Sequence, residues 1–224
     1  MTGTGHAHGA PATATPRAST PAWRLVATLA VAGAMSGLLV SSVYQWTLPA
    51  IERHAAERES AAIYEVLKAP ARWDTLYLVG DALTRTAPEG RGVTPIPRAF
   101  EGFDAEGNRI GVAITAGEPG FQDVVKLMVG FDPATGELTG FTVLEQKETP
   151  GLGDKIEKDT AFRGQFTGKQ PPLTGVKGRP GTTAGEVQTI TGATISSRAV
   201  LDIINHAVAR WRPLIAAWDE GGVR

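Results

Sequence analysis

An uncharged apolar stretch near the amino terminus limits what this chain can fold into. From Leu25 to Trp46, 22 consecutive residues carry no charged side chain. As an α-helix this stretch would be roughly 33 Å long, about the thickness of a bilayer's hydrocarbon core. Trp23 precedes it and Tyr44 lies near its end, as is usual for aromatic residues at membrane interfaces. A buried core helix and a cleaved signal peptide are the alternatives, but no small-residue cleavage site follows. We therefore predict a transmembrane helix over residues 23–48.

The segments on either side of this helix have different compositions. Residues 1–22 are rich in Ala, Thr, Pro and Gly and contain no acidic residue, which predicts a disordered tail. Residues 49–70 begin and end with proline and predict a membrane-proximal helix. Within the span, Gly33 and Gly37 form a G-x-x-x-G pattern that could let another transmembrane helix approach closely. Basic residues lie on both sides of the span, so the charges do not fix its orientation.

The remaining residues, 71–224, predict one domain of the α+β class. Strands and helices are both indicated, but no β-α-β rhythm connects them. Residues 73–97 have a weak pattern with loop-forming Pro and Gly, and 170–184 form a Pro/Gly-rich connection. The predicted elements are two hairpins (98–104 with 109–115, and 124–131 with 137–145), a short helix at 154–166, a strand at 187–190 and a helix reaching 211.

Composition excludes several kinds of redox and binding site. The chain has no cysteine, which removes disulfides, cysteine-ligated zinc, iron–sulfur clusters and C-x-x-C-H haem attachment. The formal net charge is −1 and no basic stripe is present, so nothing indicates nucleic-acid binding. His6 and His8 lie in the tail and no H-E-x-x-H pattern exists, so we expect no protein metal site. Any redox chemistry would therefore need an organic cofactor or a metal site without cysteine, and the histidine pattern does not favour the metal site.

A hydroxyl-rich cluster precedes the last predicted helix. The seven residues Thr191-Gly192-Ala193-Thr194-Ile195-Ser196-Ser197 carry four hydroxyls and lead into apolar residues at helical spacing. The first turn of a helix has unpaired N–H groups and a positive dipole end, which together can bind a phosphate. Ser and Thr are also common helix caps, so the cluster alone fits either interpretation.

A second motif, Glu148-Thr149-Pro150-Gly151-Leu152-Gly153-Asp154-Lys155, follows the last strand of the second hairpin. Its glycines would let the backbone approach a ligand closely on either side of Leu152. Such a sequence is also typical of a simple turn. It is not a dinucleotide fingerprint, because the G-x-G-x-x-G pattern is missing.

Together, the two motifs resemble a known family. The run E-T-P-G-L-G-D-K-I at 148–156, followed by T-G-A-T-I-S-S at 191–197 and preceded by one membrane span, is similar to the G subunit of the Rnf ion-translocating electron-transport complex. The related C subunit of the Na⁺-translocating NADH:quinone reductase shares this FMN-binding domain. The resemblance covers residues 24 to about 211.

The resemblance implies a covalent FMN site. In this family a separate flavin transferase attaches FMN through a phosphoester to the last threonine of the [S/T]-G-A-T motif, which here is Thr194. It also implies that the glycine loop lies against the flavin ring. Gln188 stands where the usual acceptor pattern has an aspartate, and Glu186 is the nearest acid upstream. The full predicted cofactor-binding set is Thr191, Gly192, Ala193, Thr194, Ser196, Ser197, Glu148, Thr149, Gly151, Leu152, Gly153 and Lys155.

The resemblance further implies an electron-transfer subunit of a ferredoxin/NAD oxidoreductase complex, without an active site of its own. Its partners would be other membrane and redox subunits, and the FMN domain would face the periplasm from the bacterial inner membrane, with residues 1–22 in the cytoplasm. Two alternatives are open: a C-type subunit of the quinone reductase, and a cofactor-free membrane scaffold. Asp154-Lys155-Ile156 and the short chain favour the Rnf type over the C type.

Overall fold

The computed structural model describes residues 21–88, 96–181 and 183–221. The chain divides into two compact units between Glu52 and Arg53. The predicted tail, apart from its last two residues, lies outside the described residues.

A single helix, α1 (Ala22–Val66), contains the apolar stretch. It is the one helix among residues 21–88, 96–181 and 183–221 that is long and apolar enough to cross a membrane. Two helices meeting near Pro49 were predicted, whereas α1 continues through this proline. Proline lacks an N–H and so removes one intrahelical hydrogen bond, but the turns on both sides remain regular.

The second unit is built on a six-stranded antiparallel sheet in the order β2-β1-β3-β4-β5-β6. The predicted hairpins are β3–β4 and β5–β6, with β4 extending four residues beyond its predicted end. The strands are β1 (Arg72–Val79), β2 (Ala82–Thr84), β3 (Arg98–Phe103), β4 (Arg109–Pro119), β5 (Val124–Phe131) and β6 (Leu138–Glu145).

Strand alternation divides the buried side chains between two faces of this sheet. Val112 and Ile114 pack in the larger core cluster, whereas Ala113 between them packs in the smaller one. The smaller cluster also contains Ile63 and Val66 from the end of α1. Both faces of the central strands are therefore covered, which explains why their sequences are nearly continuously apolar.

The rest of the chain forms short elements and one long helix. The predicted helix at 154–166 is two short ones, because Asp159 ends the first in an extended conformation and caps the second. A parallel two-stranded sheet lies in the region predicted as connection and strand. The last helix runs nine residues past its predicted end and contains Pro213. These elements are α2 (Lys155–Lys158), α3 (Thr160–Gly164), β7 (Thr174–Val176), β8 (Glu186–Gln188) and α4 (Thr194–Glu220).

The predicted α+β class is confirmed, but the strands β1 and β2 were missed. The sequence around them is interrupted by Gly80 and by a Pro-rich segment, which indicated loops. In the structure β1 pairs with β3 over six residue pairs, and β2 is a three-residue edge strand. A long-range partner therefore stabilises a strand whose local signals are weak.

Candidate functional site

The glycine-rich motif forms a compact turn between β6 and α2. The N–H of Leu152 donates to the carbonyl of Thr149 at 3.1 Å, and the N–H of Lys155 donates to the carbonyl of Leu152 at 3.3 Å. Gly151 has a φ of +77°, a left-handed conformation that favours glycine. The turn leaves the Leu152 side chain 47% exposed. A large apolar side chain is thus presented to the outside by a tightly folded backbone.

The hydroxyl-rich cluster forms the start of α4. The helix begins at Thr194, and the N-cap residue is Ala193, whose methyl group cannot cap the helix. Among the described residues, the N–H groups of Thr194, Ile195 and Ser196 donate to no backbone oxygen. Of the two interpretations of this cluster, a hydroxyl cap does not describe the helix, because no side chain caps it. Free donors remain at the amino-terminal end of a 27-residue helix.

Two of the four hydroxyls point into the protein rather than toward the free donors. The Ser197 hydroxyl donates to the carbonyl of Ala193 at 2.8 Å and accepts from the N–H of Ile190 at 3.0 Å. The Ser196 hydroxyl donates to Oε2 of Glu148 at 2.5 Å. Both serines are buried, and these internal hydrogen bonds satisfy their hydroxyls. Both serines belong to the predicted cofactor-binding set, but direct hydrogen bonds from their hydroxyls to a phosphate do not fit this geometry.

Thr194 and Thr191 are placed differently from the serines. Thr191 is exposed and Thr194 is half-buried. Within the described part of the chain, neither hydroxyl takes part in a side-chain hydrogen bond. Gly192 between them has a φ of +84°. The hydroxyl of Thr194 is therefore available at the first position of α4, beside the free N–H groups.

Three contacts bring the two motifs together. The first is the Glu148–Ser196 hydrogen bond. The second is at Gly153, where an added Cβ would lie 2.8 Å from Oε2 of Glu148 and 2.9 Å from Oγ of Ser196. The third is at Gly192, where an added Cβ would lie 3.4 Å from Cδ2 of Leu152. The absence of side chains at these glycines lets the turn and the start of α4 form one site.

A third segment, the turn between β4 and β5, joins this site and was not predicted. Oε1 of Glu148 accepts hydrogen bonds from the backbone N–H of Phe121 at 2.9 Å and of Gln122 at 3.1 Å. A Cβ on Gly120 would lie 2.5 Å from the same oxygen. The Pro119-Gly120 pair in the sequence signals a turn, but no local pattern indicates that it meets residue 148. Glu148 is 4% exposed and connects all three segments.

Ion pairs surround this site. Lys158 forms a 2.7 Å salt bridge with Asp154, and the hydrogen bond from Lys158 lowers the pKa of the Asp154 carboxyl. Lys147 pairs with Asp123 at 2.9 Å, which lowers the pKa of the Asp123 carboxyl. Lys155, the predicted cationic residue, is exposed at the first position of α2. The turns on both sides of Glu148 are thus fixed by charged pairs that remain ionised near neutral pH.

Gln188 lies in β8, and its backbone is held by a neighbouring side chain. The N–H of Gln188 donates to Oε1 of Gln165 at 2.7 Å, and its carbonyl accepts from Nε2 of Gln165 at 3.2 Å. The carboxylate of Glu186 accepts from the N–H of Gly181 at 2.5 Å. The Glu186 carboxylate is therefore already bonded to Gly181. The side chain of Gln188 is half-buried and takes no part in the contact between Gln165 and the Gln188 backbone.

Comparisons with known proteins agree with this arrangement. Residues 120–209 match the family model of the FMN-binding domain, a span that includes the turn at Gly120 and both motifs. The crystal structure of NqrC from Shewanella oneidensis superposes with a TM-score of 0.60 at 18% identity, covering 72% of this chain and 99% of that one. This similarity shows a shared fold.

Two curated relatives are similar over most of their length. The G subunit of the ion-translocating oxidoreductase complex of Cronobacter sakazakii is 33% identical over 187 residues, which cover 80% of this chain and 85% of the relative. The G subunit of the proton-translocating ferredoxin:NAD(+) oxidoreductase complex of Clostridium ljungdahlii is 29% identical over 175 residues, covering 78% and 83%. The fold, the two joined motifs and these relatives together establish that the chain belongs to the family of G subunits of ion-translocating oxidoreductase complexes.

Proposed function

We propose that this chain relays electrons in a membrane-bound ferredoxin/NAD oxidoreductase complex through FMN joined to Thr194 by a phosphoester. The match to the FMN-binding domain supports the cofactor, and the name of the Clostridium ljungdahlii relative supports the type of complex. The observation that carries the proposal is the 2.5 Å hydrogen bond between Ser196 and Glu148. It joins the two motifs beside a threonine hydroxyl without a partner among the described residues.

The residues present fit an attached FMN. The phosphate of a Thr194 ester keeps a negative charge, which the free N–H groups of Thr194, Ile195 and Ser196 can stabilise at the positive end of α4. The exposed Thr191 hydroxyl can add a hydrogen bond. The turn has open space at Gly151, where a Cβ would meet nothing within 4 Å. When bound, FMN supplies the capacity to accept and pass on electrons.

Each part of the site has a distinct role in this proposal. Thr194 carries the cofactor, and the amino-terminal N–H groups of α4 bind its phosphate. Leu152 offers an apolar surface to the flavin ring, and the exposed Lys155 adds positive charge near the loop. Glu148, Ser196 and Ser197 hold the backbone in place from inside rather than contacting the cofactor. This division of roles differs from the sequence-based expectation, which placed Glu148 against the flavin ring and both serines at its phosphate.

The proposed location is the periplasmic side of the bacterial inner membrane. The apolar part of α1 supports a single membrane span, because its large side chains are exposed along the helix. The relatives are subunits of multi-subunit complexes, so the chain would act with other subunits. A flavin transferase would be its maturation partner. Within this proposal the domain holds the flavin as a fixed relay between neighbouring carriers.

The test is whether a substitution of Thr194 removes covalent flavin while a substitution of the nearby Thr191 does not. The full-length chain is produced with a flavin transferase, and intact mass and flavin fluorescence on a denaturing gel are measured. Thr194→Val is expected to remove both signals while circular dichroism is unchanged. Thr191→Ser is the control in the same loop, because it keeps the hydroxyl that the acceptor motif requires, and it is expected to keep the flavin. If Thr194→Val kept its flavin fluorescence on the denaturing gel, Thr194 could not be the residue that carries FMN.

The same measurement distinguishes the scaffold alternative. A cofactor-free scaffold would show no flavin absorbance after purification in mild detergent, even when the transferase is present. A flavin bound without a covalent bond would absorb in the native protein but leave it on the denaturing gel.

A further inference from the structure

Exposed large apolar side chains are few among the described residues from 72 onward, and most of them lie near the candidate site. Single exposed apolar residues are ordinary on protein surfaces, whereas a cluster of them commonly marks a binding surface. Among the described residues from 72 onward, the exposed large apolar side chains are Val79, Phe121, Val124, Leu152 and Ile195.

Three of these side chains belong to the three segments that meet at Glu148. Phe121 lies in the β4–β5 turn, Leu152 in the glycine-rich turn and Ile195 in the first turn of α4. The Glu148 carboxylate bonds the N–H of Phe121 through one oxygen and the hydroxyl of Ser196 through the other. The Glu148 carboxylate therefore bridges the backbone of Phe121 and the hydroxyl of Ser196, two residues after Thr194.

The backbone of Phe121 is fixed although its side chain is 60% exposed. Besides the two bonds to Glu148, the turn is closed by the N–H of Gly120, which donates to the carbonyl of Asp123 at 2.8 Å. Asp123 is in turn paired with Lys147, next to Glu148 in the chain. An exposed aromatic ring on such a fixed backbone loses little conformational entropy when it contacts a ligand.

We propose that the Phe121 side chain contacts the isoalloxazine ring of the flavin carried by Thr194, a role that no sequence motif assigns to it. The inference rests on the proposed function. A flat aromatic ring is the partner that an exposed phenylalanine binds through offset or edge contacts. With the phosphate at the start of α4, the exposed side chains of Leu152 and Phe121 would be the apolar groups that hold the ring. The β4–β5 turn thus forms a third side of the flavin site.

The experiment places a fluorescence quencher at this position. Tryptophan in van der Waals contact with an excited flavin shortens its fluorescence lifetime by electron transfer, and the effect is lost over a few ångströms. Phe121→Trp in the full-length flavinylated protein is therefore expected to shorten the flavin lifetime several-fold. The matched control is Val79→Trp, because Val79 is exposed to a similar extent but lies in β1. This variant is expected to retain the wild-type lifetime.

A second variant removes the contact. Phe121→Ala is expected to raise the accessibility of the flavin to iodide quenching by roughly two- to tenfold, the range set by the usual strength of an aromatic contact. Phe121→Tyr is expected to restore the wild-type accessibility, which a nonspecific loss of structure would not explain.

The outcomes separate this inference from the proposed function. In both of the following outcomes the wild type carries flavin on Thr194, so the attachment stands. If the flavin lifetime in Phe121→Trp equals that of the wild type, the proposed Phe121 contact is wrong. The contact is also wrong if the Phe121→Trp variant carries no flavin. An unchanged lifetime together with weaker recovery of partner subunits from detergent extracts would assign Phe121 to a protein interface instead. If Thr194→Val keeps its flavin, or the wild type never acquires one, both proposals fail.

Discussion

The hydroxyl of Ser196 and the carboxylate of Glu148, 48 positions apart in the chain, are joined by a 2.5 Å hydrogen bond inside the protein. Both side chains are almost fully buried. The other carboxylate oxygen accepts two backbone N–H groups from the β4–β5 turn. A buried carboxylate needs such partners, because its charge is costly to remove from water without hydrogen bonds. One side chain therefore determines how three segments of the candidate site fit together.

The first prediction concerns Glu148. Glu148→Ala leaves two backbone N–H groups and one hydroxyl without their acceptor, and is expected to lower the free energy of unfolding by roughly 3 kcal/mol. Glu148→Gln keeps an oxygen for the backbone donors, and the Ser196 hydroxyl can rotate to accept from the amide, so most of the stability should return. Denaturant unfolding of the full-length protein in detergent measures both. Glu106→Ala, at an exposed turn, is the control; an equal loss in that variant would contradict this role.

The second prediction separates the glycines of the E-T-P-G-L-G loop. Gly153→Ala places a methyl group 2.8 Å from two atoms of Glu148 and 2.9 Å from Oγ of Ser196, so it is expected to cost about 1–3 kcal/mol and to weaken flavin attachment. Gly151→Ala meets nothing within 4 Å, and its cost of about 1–2 kcal/mol comes from its positive φ alone. Thermal unfolding and covalent flavin yield are measured together.

Gly164→Ala is the matched control for these variants, since it has open space and no positive φ. Its flavin yield should equal that of the wild type, and its stability should not fall, because Ala is a better helix former than Gly. Full flavin attachment in Gly153→Ala would mean that the contact with Ser196 does not shape the attachment site.

Local sequence signals predicted the parts of the site but not how they are assembled. The glycine-rich turn and the start of α4 were both predicted, because their residue types directly favour a turn and a helix start. The role of Ser196 was not, since its hydroxyl could equally have pointed outward toward a phosphate. Its inward direction depends on Glu148, which lies 48 positions away in the chain and is brought beside it by the fold. The Phe121 turn was missed for the same reason.

The fold shows a similar division between local and long-range determinants. The β3–β4 and β5–β6 hairpins could be predicted because each is closed by a short turn between strongly apolar strands. The strand β1 could not, since its partner β3 follows only after a Pro/Gly-rich segment. The boundary expected at Pro49 was also misplaced, because a single proline does not end a helix that is otherwise regular on both sides.

The third prediction concerns the residue that departs from the usual acceptor pattern. Gln188→Asp is expected to raise the fraction of protein carrying covalent FMN when transferase is limiting, because it restores the carboxylate of that pattern. The fold should be unaffected, since Gln165 holds the Gln188 backbone and not its side chain. Intact mass measured over a time course gives the fraction.

Glu186→Gln tests the alternative that the nearest acid replaces the missing aspartate. Its carboxylate is already bonded to the N–H of Gly181, so the attachment rate is expected to stay at the wild-type value. A loss of attachment in Glu186→Gln, with none gained in Gln188→Asp, would reverse this assignment.

The fourth prediction is a pH dependence of the contact between α4 and β4. Nδ1 of His206 lies 2.8 Å from Oε1 of Glu118, and this hydrogen bond raises the pKa of His206 above its ordinary value of 6.5. Asp202, on the same helix, raises it further. A raised pKa means that the protonated form is favoured in the folded state. The pair therefore stabilises the protein fully below the unfolded pKa and loses this contribution as pH rises through the folded pKa.

The difference in melting temperature between wild type and His206→Gln is expected to be larger at about pH 6 than at about pH 9. Because the side chain of His206 is largely exposed, the change should be small and should weaken in high salt. An NMR titration of the His206 ring gives the pKa directly, and Glu118→Gln should bring it back toward 6.5, since the facing negative charge is gone. A His206 pKa that is the same in wild type and Glu118→Gln would show that the carboxylate of Glu118 does not hold this proton.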